Sequence, residues 1–249
     1  MLLVDVHAHL HLCENPQDVI SRATLAGVKH IITTGLDEES NTKTLALSRG
    51  STIVHAAIGI YPSSIKKNWE EQLSTVTETI KKNKKDIVAI GEVGIDQHHT
   101  EETAPTLDTQ KKVFQEFITL SEKTKLPLVV HSRKAEEIII DLLTSSNARA
   151  VLHSFGGNKK LQRKAIDEGL SFSIPTNCSR STHYQGIIQQ SPLSQLLTET
   201  DAPYQSPIIG IPSEPAHVAR AITTIATLKK LTPEETANNI FMNYTRFFQ

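Results

Sequence analysis

The segment Asp5-Val-His7-Ala-His9 places an aspartate and two histidines at alternate positions near the start of a 249-residue chain. In an extended strand alternate side chains share a face, so these three point one way while Val4, Val6 and Ala8 point the other. Two imidazoles spaced like this on a rigid support can chelate one metal ion. Further polar residues close apolar runs downstream. Glu92 stands in Gly91-Glu92-Val93-Gly94-Ile95-Asp96, where an unpaired carboxylate is expensive to bury but one lying between cations is not. His131 ends Leu-Pro-Leu-Val-Val, His153 ends Ala-Arg-Ala-Val-Leu, and Asp201 closes Glu199-Thr-Asp. A lone histidine in such a place reads equally well as a satisfied core residue. Imidazoles from three runs and carboxylates from two more make a metal centre only if the fold gathers the ends of those runs.

The intervening sequence supplies that fold. Short Val/Ile-rich runs predict strands at 2–10, 30–35, 53–60, 87–95, 126–132, 150–155, 170–175 and 196–201. Amphipathic stretches separate them. Val113, Phe117 and Leu120 recur at helical spacing, as do Val218, Ile222 and Ile225. Asn15 before Pro16, and Thr232-Pro233-Glu234-Glu235, read as helix starts; Gly27, Gly50 and Gly169 read as helix stops. Strand–helix alternation implies right-handed crossovers and a parallel sheet. Eight such units, with no glycine-rich dinucleotide loop after the first strand, point to one α/β domain over residues 1–249, a single (β/α)8 TIM barrel. Such barrels carry their chemistry at the C-terminal ends of the strands, which is where all six candidate ligands fall. His30 and His55 begin strands instead and are assigned no function. The cluster Lys81, Lys82, Lys84 and Lys85 reads as a solvated helix end.

Composition narrows the function classes. Lys and Arg number 26 against 27 Asp and Glu, a net charge of −1, which excludes nucleic-acid binding through overall basicity and leaves a local basic groove open. Hydrophobic residues at 38% and charged residues at 21% exclude a disordered or fibrous chain. Cys13 and Cys178 are too few for a disulfide framework or a thiolate zinc site. The opening MLLVDVHAHL lacks the basic n-region of a signal peptide, and no run approaches about 18 apolar residues. A cytoplasmic protein with no membrane contact and no obligate protein partner is the expectation.

The ordered set DVHAHL, GEVGID, LPLVVHSR, HSFGG and ETDAPY resembles the TatD family of metal-dependent hydrolases, among the amidohydrolase-type barrels. The tail is similar too: Pro212 and Pro215 precede a helix, and Asn243 to Phe248 follows the family's closing Asn-x-x-x-x-Phe. The resemblance implies a metal-dependent nuclease, chiefly a deoxyribonuclease, working through two divalent ions. It implies that His7, His9 and Asp201 hold the first ion, and that Glu92 bridges to a second held by His131 and His153. Such a nitrogen and oxygen set suits Zn2+, Mn2+ or Mg2+. Two ions about 3.5–4 Å apart activate water and stabilise the attacking and leaving oxygens of a phosphodiester. Asp201 is then the candidate for orienting and deprotonating that water, with Glu92 as the catalytic bridge.

Substrate contacts are carried by fewer residues. Arg133 matches a family arginine and reads as a phosphate contact or as a surface partner of Glu136 or Glu137. Tyr204 reads as a base-stacking ring or as loop packing. His98, His99 and His183 read as solvated loop residues or as phosphate contacts. The chain also departs from the family pattern. Where Gly-x-His-Pro-His is usual it has Gly59-Ile-Tyr61-Pro62-Ser63, so the Tyr61 phenol is the remaining hydrogen-bond donor to substrate. His11 replaces a common Asp, and Gln97 a common aromatic. The expected activity is cleavage of phosphodiester bonds at DNA ends, as an exonuclease. The alternative is hydrolysis of a small ester, amide or other carbonyl substrate on the same barrel, and a third class is a metal-binding scaffold with little catalysis.

Overall fold

Eight strands alternate with helices in chain order in the computed structural model, which describes residues 1–98 and 104–249. The first half runs β1 (Leu3–Ala8), α1 (Pro16–Leu25), β2 (Val28–Thr34), α2 (Glu38–Arg49), β3 (Val54–Ile58), α3 (Trp69–Lys82), β4 (Ile87–Asp96) and α4 (Leu107–Thr124). The second half runs β5 (Leu128–Arg133), α5 (Glu136–Thr144), β6 (Ala150–His153), α6 (Lys159–Asp167), β7 (Ser171–Pro175), α7 (Thr182–Gln190), β8 (Leu196–Glu199), α8 (Ala219–Lys229) and α9 (Pro233–Phe248). Each predicted strand is present, with ends moved by a few residues. The strands pair in the order β1 to β8, every pair parallel. The sheet closes where β8 meets β1: Asp201 N donates to His7 O at 2.9 Å, and His9 N to Ala202 O at 2.7 Å. This is the (β/α)8 barrel that the alternation predicts.

Parallel strands bury both faces, and these strands are built accordingly. Val4, Ile31, Ile58, Ile90, Val130, Leu152, Ile174 and Leu197 are all buried. The helices cover them with one apolar stripe each, such as Val113, Phe114 and Phe117 on α4 or Ile222 and Ile225 on α8. The cap readings fare unevenly. Thr232 and Glu235 form a reciprocal capping box, whereas Asn15 makes no side-chain cap and stands at φ +50°. Gly27 and Gly169 take the left-handed conformation after their helices, while Gly50 ends α2 at φ −87° without it. Asn243 on α9 donates to the carbonyls of Leu193 at 2.8 Å and Leu196 at 2.9 Å, tying the last helix to the start of β8. Gly94, at φ +144°, lets β4 and β5 meet closely, since a Cβ there would collide with the carbonyl of His131. Among the described residues no helix is long and apolar enough to cross a membrane.

Candidate metal centre

His7 lies within β1 and His9 just beyond it, and their Nε2 atoms approach to 3.2 Å. Glu92 enters from β4, its Oε2 3.5 Å from His7 Nε2 and 3.4 Å from His9 Nε2. Asp201, immediately after β8, brings Oδ1 to 3.5 Å and 3.6 Å from the same two nitrogens. Ligands of a tetrahedral ion at 2.0–2.1 Å lie about 3.3 Å apart, so Glu92 Oε2 and Asp201 Oδ1 each stand at a suitable distance from both nitrogens to share a cage with them. The side chain of His7 is fully buried and that of Glu92 is 3% exposed. The second oxygen of Glu92, Oε1, faces His131 Nδ1 at 3.0 Å. His153 stacks on His7 with ring centroids 3.7 Å apart and holds Nε2 4.0 Å from Asp201 Oδ1. The ligand atoms of His7, His9 and Asp201, and those of His7, Glu92 and His153, fall within 4.8 Å of one another; His131 belongs to neither set. His7, His9 and Asp201 thus form one compact set and His7, Glu92 and His153 another, with His131 beside Glu92.

A ring nitrogen that faces a metal is normally aimed by what holds the other nitrogen. His9 Nδ1 meets the carbonyl of Thr34 at 3.0 Å. His153 Nδ1 meets Glu199 Oε2 at 2.8 Å, and Glu199 also accepts from Ser154 N at 3.1 Å, from the Ser154 hydroxyl and from the Ser173 hydroxyl. His131 Nε2 meets Asp96 Oδ2 at 3.2 Å. Asp201 is itself steadied by Gln205, whose Nε2 donates to Oδ2 at 2.8 Å. Asp201, Ser154 and Gln205 all hold positive φ, of 55°, 41° and 47°, so the loops at this rim carry backbone strain for side-chain aim. Asp5 shares the strand face as expected but does not turn to the cage. It accepts from His7 N at 3.2 Å and Thr200 N at 3.0 Å and so ties β1 to β8.

Charge follows from this packing. Burial opposes a proton on His9, yet hydrogen bonds to Asp201 and Glu92 outweigh it and raise the group to about 10. Burial likewise opposes charge on His153, which Glu199 and Asp201 nevertheless hold up at about 9. His7 moves the other way, lowered by burial and by His153. Although burial disfavours their anions, Glu92 and Asp201 are held well below the usual carboxylate range, Glu92 chiefly by His7 and His131 and Asp201 chiefly by His153 and His7. Both carboxylates are therefore anionic at neutral pH, the form that binds a cation.

The description "TatD related DNase" fits residues 4–249, essentially the whole chain. The chain belongs to the TatD-related DNase family. A metal-dependent hydrolase of Bacillus subtilis, YabD, is 32% identical over 258 residues, covering 100% of this chain and 99% of its own. The human deoxyribonuclease TATDN3 is 29% identical, covering 99% of this chain and 94% of its own. Among solved structures, the TatD homologue YjjV of Escherichia coli K12 superposes with a TM-score of 0.88 at 25% identity, covering 99% and 97% of the two chains. The TatD-family chain is thus a metal-dependent hydrolase.

A cavity of about 640 Å³ opens over the cage of this TatD-family barrel, and Tyr61, Arg133 and Tyr204 all line it. Arg133 is exposed at the rim, and among the described residues no ion pair joins it to Glu136 or Glu137. Tyr204 is 56% exposed, its ring 6.2 Å from that of His9. Tyr61 departs from its expected part as a donor to substrate. Its hydroxyl donates to Asp96 Oδ2 at 2.9 Å, because the loop after β3 turns the phenol down against β4. His183 is structural, bonded to the Phe155 carbonyl at 2.8 Å and to Gln162. His98 gives its backbone N–H to Asp96 Oδ1 at 2.7 Å, and His99 lies outside the described residues. Half-buried His11 adjoins the ring of His9 at 5.8 Å, with no ring-nitrogen partner among the described residues. Glu199, Asp96 and Gln205 were not singled out by sequence. Glu199 carried a signal, since its alternate spacing with Asp201 puts both on one strand face.

Proposed function

We propose that this chain hydrolyses phosphodiester bonds of DNA from an end, using two divalent ions held by His7, His9, Glu92, His131, His153 and Asp201. The observation that carries the reading is Glu92, whose Oε2 completes the compact cage while its Oε1 faces His131. Two ions bound there, Zn2+, Mn2+ or Mg2+, would supply Lewis-acid activation of water and neutralise developing phosphate charge. The chain's own residues do the rest. Asp201 orients the attacking water and takes its proton, with Gln205 keeping the free oxygen in place. Arg133, without an ion-pair partner among the described residues, offers a fork of donors to a phosphate. Tyr204 presents an exposed ring to a base. Three of the chain's four tyrosines line this one cavity, which suits a substrate with flat rings.

A cavity of this volume also suits a small molecule, which keeps a small ester or amide as the second reading. The deciding experiment incubates the purified protein with end-labelled oligonucleotides and Mg2+, Mn2+ or Zn2+. Release of mononucleotides at a rate that falls as salt rises supports the proposal. No release with any metal, together with turnover of a panel of carbonyl esters, overturns it. Arg133→Ala sharpens the result: a phosphate contact predicts a clear rise in KM, and an unchanged KM removes that role.

A further inference from the structure

His131 differs from the other three rings of the site in what holds it. Its Nδ1 faces Glu92 Oε1 at 3.0 Å, and its Nε2 faces Asp96 Oδ2 at 3.2 Å and the Tyr61 hydroxyl at 3.4 Å. A phenol has one proton, and Tyr61 directs it to Asp96 Oδ2 at 2.9 Å. The ring of Tyr61 also stands edge-on to that of His131, centroids 4.9 Å apart. Asp96 is itself fixed: its side chain is fully buried, and its backbone is bracketed by buried Gln110 of α4, which accepts from Asp96 N at 2.8 Å and donates to Asp96 O at 3.1 Å. Asp96 Oδ2 accepts from Nε2 when that nitrogen carries the ring proton, the tautomer in which Nδ1 is free to ligate an ion. Nδ1 is thereby directed at Glu92 Oε1, on the side of the wider position between Glu92, His131 and His153.

We propose that Tyr61 and Asp96 form a clamp that decides which nitrogen of His131 faces the second ion, which makes Tyr61 a positioning residue for that ion. The inference rests on the two-ion reading given above, and it concerns only the wider position between Glu92, His131 and His153. The compact cage does not touch the clamp. His9 is aimed by the Thr34 carbonyl and Asp201 by Gln205, on other elements of the barrel. A ring that supports a ligand stands where a direct contact to substrate was the expectation.

The test is a titration of the metal-free protein with Zn2+ and with Mn2+, read by calorimetry and by metal content after gel filtration. The wild type is expected to take up two ions per chain. In Tyr61→Phe the first should bind as in the wild type and the second about tenfold more weakly; in Asp96→Asn the second should weaken by about 10–100-fold. The double variant should match Asp96→Asn alone, because the phenol acts through the carboxylate. Circular dichroism melting of the metal-free variants keeps folding separate from binding. Unchanged second-ion affinity in both single variants overturns the clamp, as does equal weakening of both ions or uptake of one ion by the wild type. None of these readouts involves DNA, so the pattern can hold in a chain that cleaves no oligonucleotide, and the nuclease reading then fails alone.

Discussion

The barrel carries a histidine pair at each end. At the C-terminal ends of the strands His7 and His9 meet at 3.2 Å; at the opposite end His30 Nδ1 and His55 Nε2 meet at 2.8 Å. The distances are alike and the surroundings are opposite. The first pair faces Glu92 and Asp201, and the second is packed against Tyr244, stacked on His30 at 4.6 Å, and Phe241 at 5.5 Å. Carboxylates raise His9 to about 10, whereas burial, with His30 beside it, lowers His55 to about 4. Two imidazoles in contact are therefore not yet a metal site. Anionic oxygens turn such a pair into a cation cage, and aromatic rings leave it as neutral packing.

The largest break in that contrast should come from Glu92→Gln, which keeps shape and removes the charge that the two proposed ion positions would share. A loss of at least about 10³-fold in kcat/KM, about 4 kcal/mol, is expected together with loss of bound metal by elemental analysis. Retention of two ions per chain would remove the bridging role. Next in size is Glu199→Gln, which leaves His153 with a weaker anchor; metal affinity should fall by about 10–100-fold, read by chelator competition.

A smaller effect should appear at the other end as pH falls. Folded His55 stays neutral down to about 4, while the unfolded imidazole takes its proton near 6.5, so the unfolded state binds more protons between those values. Stability from this group is complete above 6.5 and is lost toward pH 4. Partly buried His55 should contribute about 1 kcal/mol there, some 2–4 °C in Tm. His9 and His153 are charged in both states below 6.5 and add no slope, while buried Asp5, pushed up to about 7, acts in the opposite direction. Thermal melts of metal-free wild type against His55→Gln isolate the imidazole, and identical acid limbs would refute its part. Smallest of all, His30→Phe should leave metal content and kcat/KM within about twofold of wild type; a loss of either would show that the two ends are coupled.

Much of the barrel was legible because each strand is a short apolar run and each crossover a helix-periodic stretch. The six candidate ligands were legible for a related reason. Each is a polar residue at or near the end of an apolar run, and a parallel barrel brings such ends to one rim. Glu199, Asp96 and Gln205 were less visible because their value depends on what lies across the barrel. Glu199 of β8 meets His153 of β6 across the intervening β7, Asp96 meets His131 from β5, and Gln205 reaches Asp201 only through a loop at positive φ. Tyr61 shows the limit most clearly. Its phenol was read as a donor to substrate, and only the turn after β3 directs it to Asp96.

By itself the sequence determined the alternation of strands and helices and which residue ends each strand, since both follow from local periodicity and from the cost of burying a charge alone. The tertiary structure decided which nitrogen of each ring looks inward, which oxygen of Glu92 serves which side, and which histidine pair is a cage. Those outcomes depend on partners far apart in the chain, held within hydrogen-bond distance by closure of the sheet, and no local pattern encodes a distance of 3 Å across a barrel.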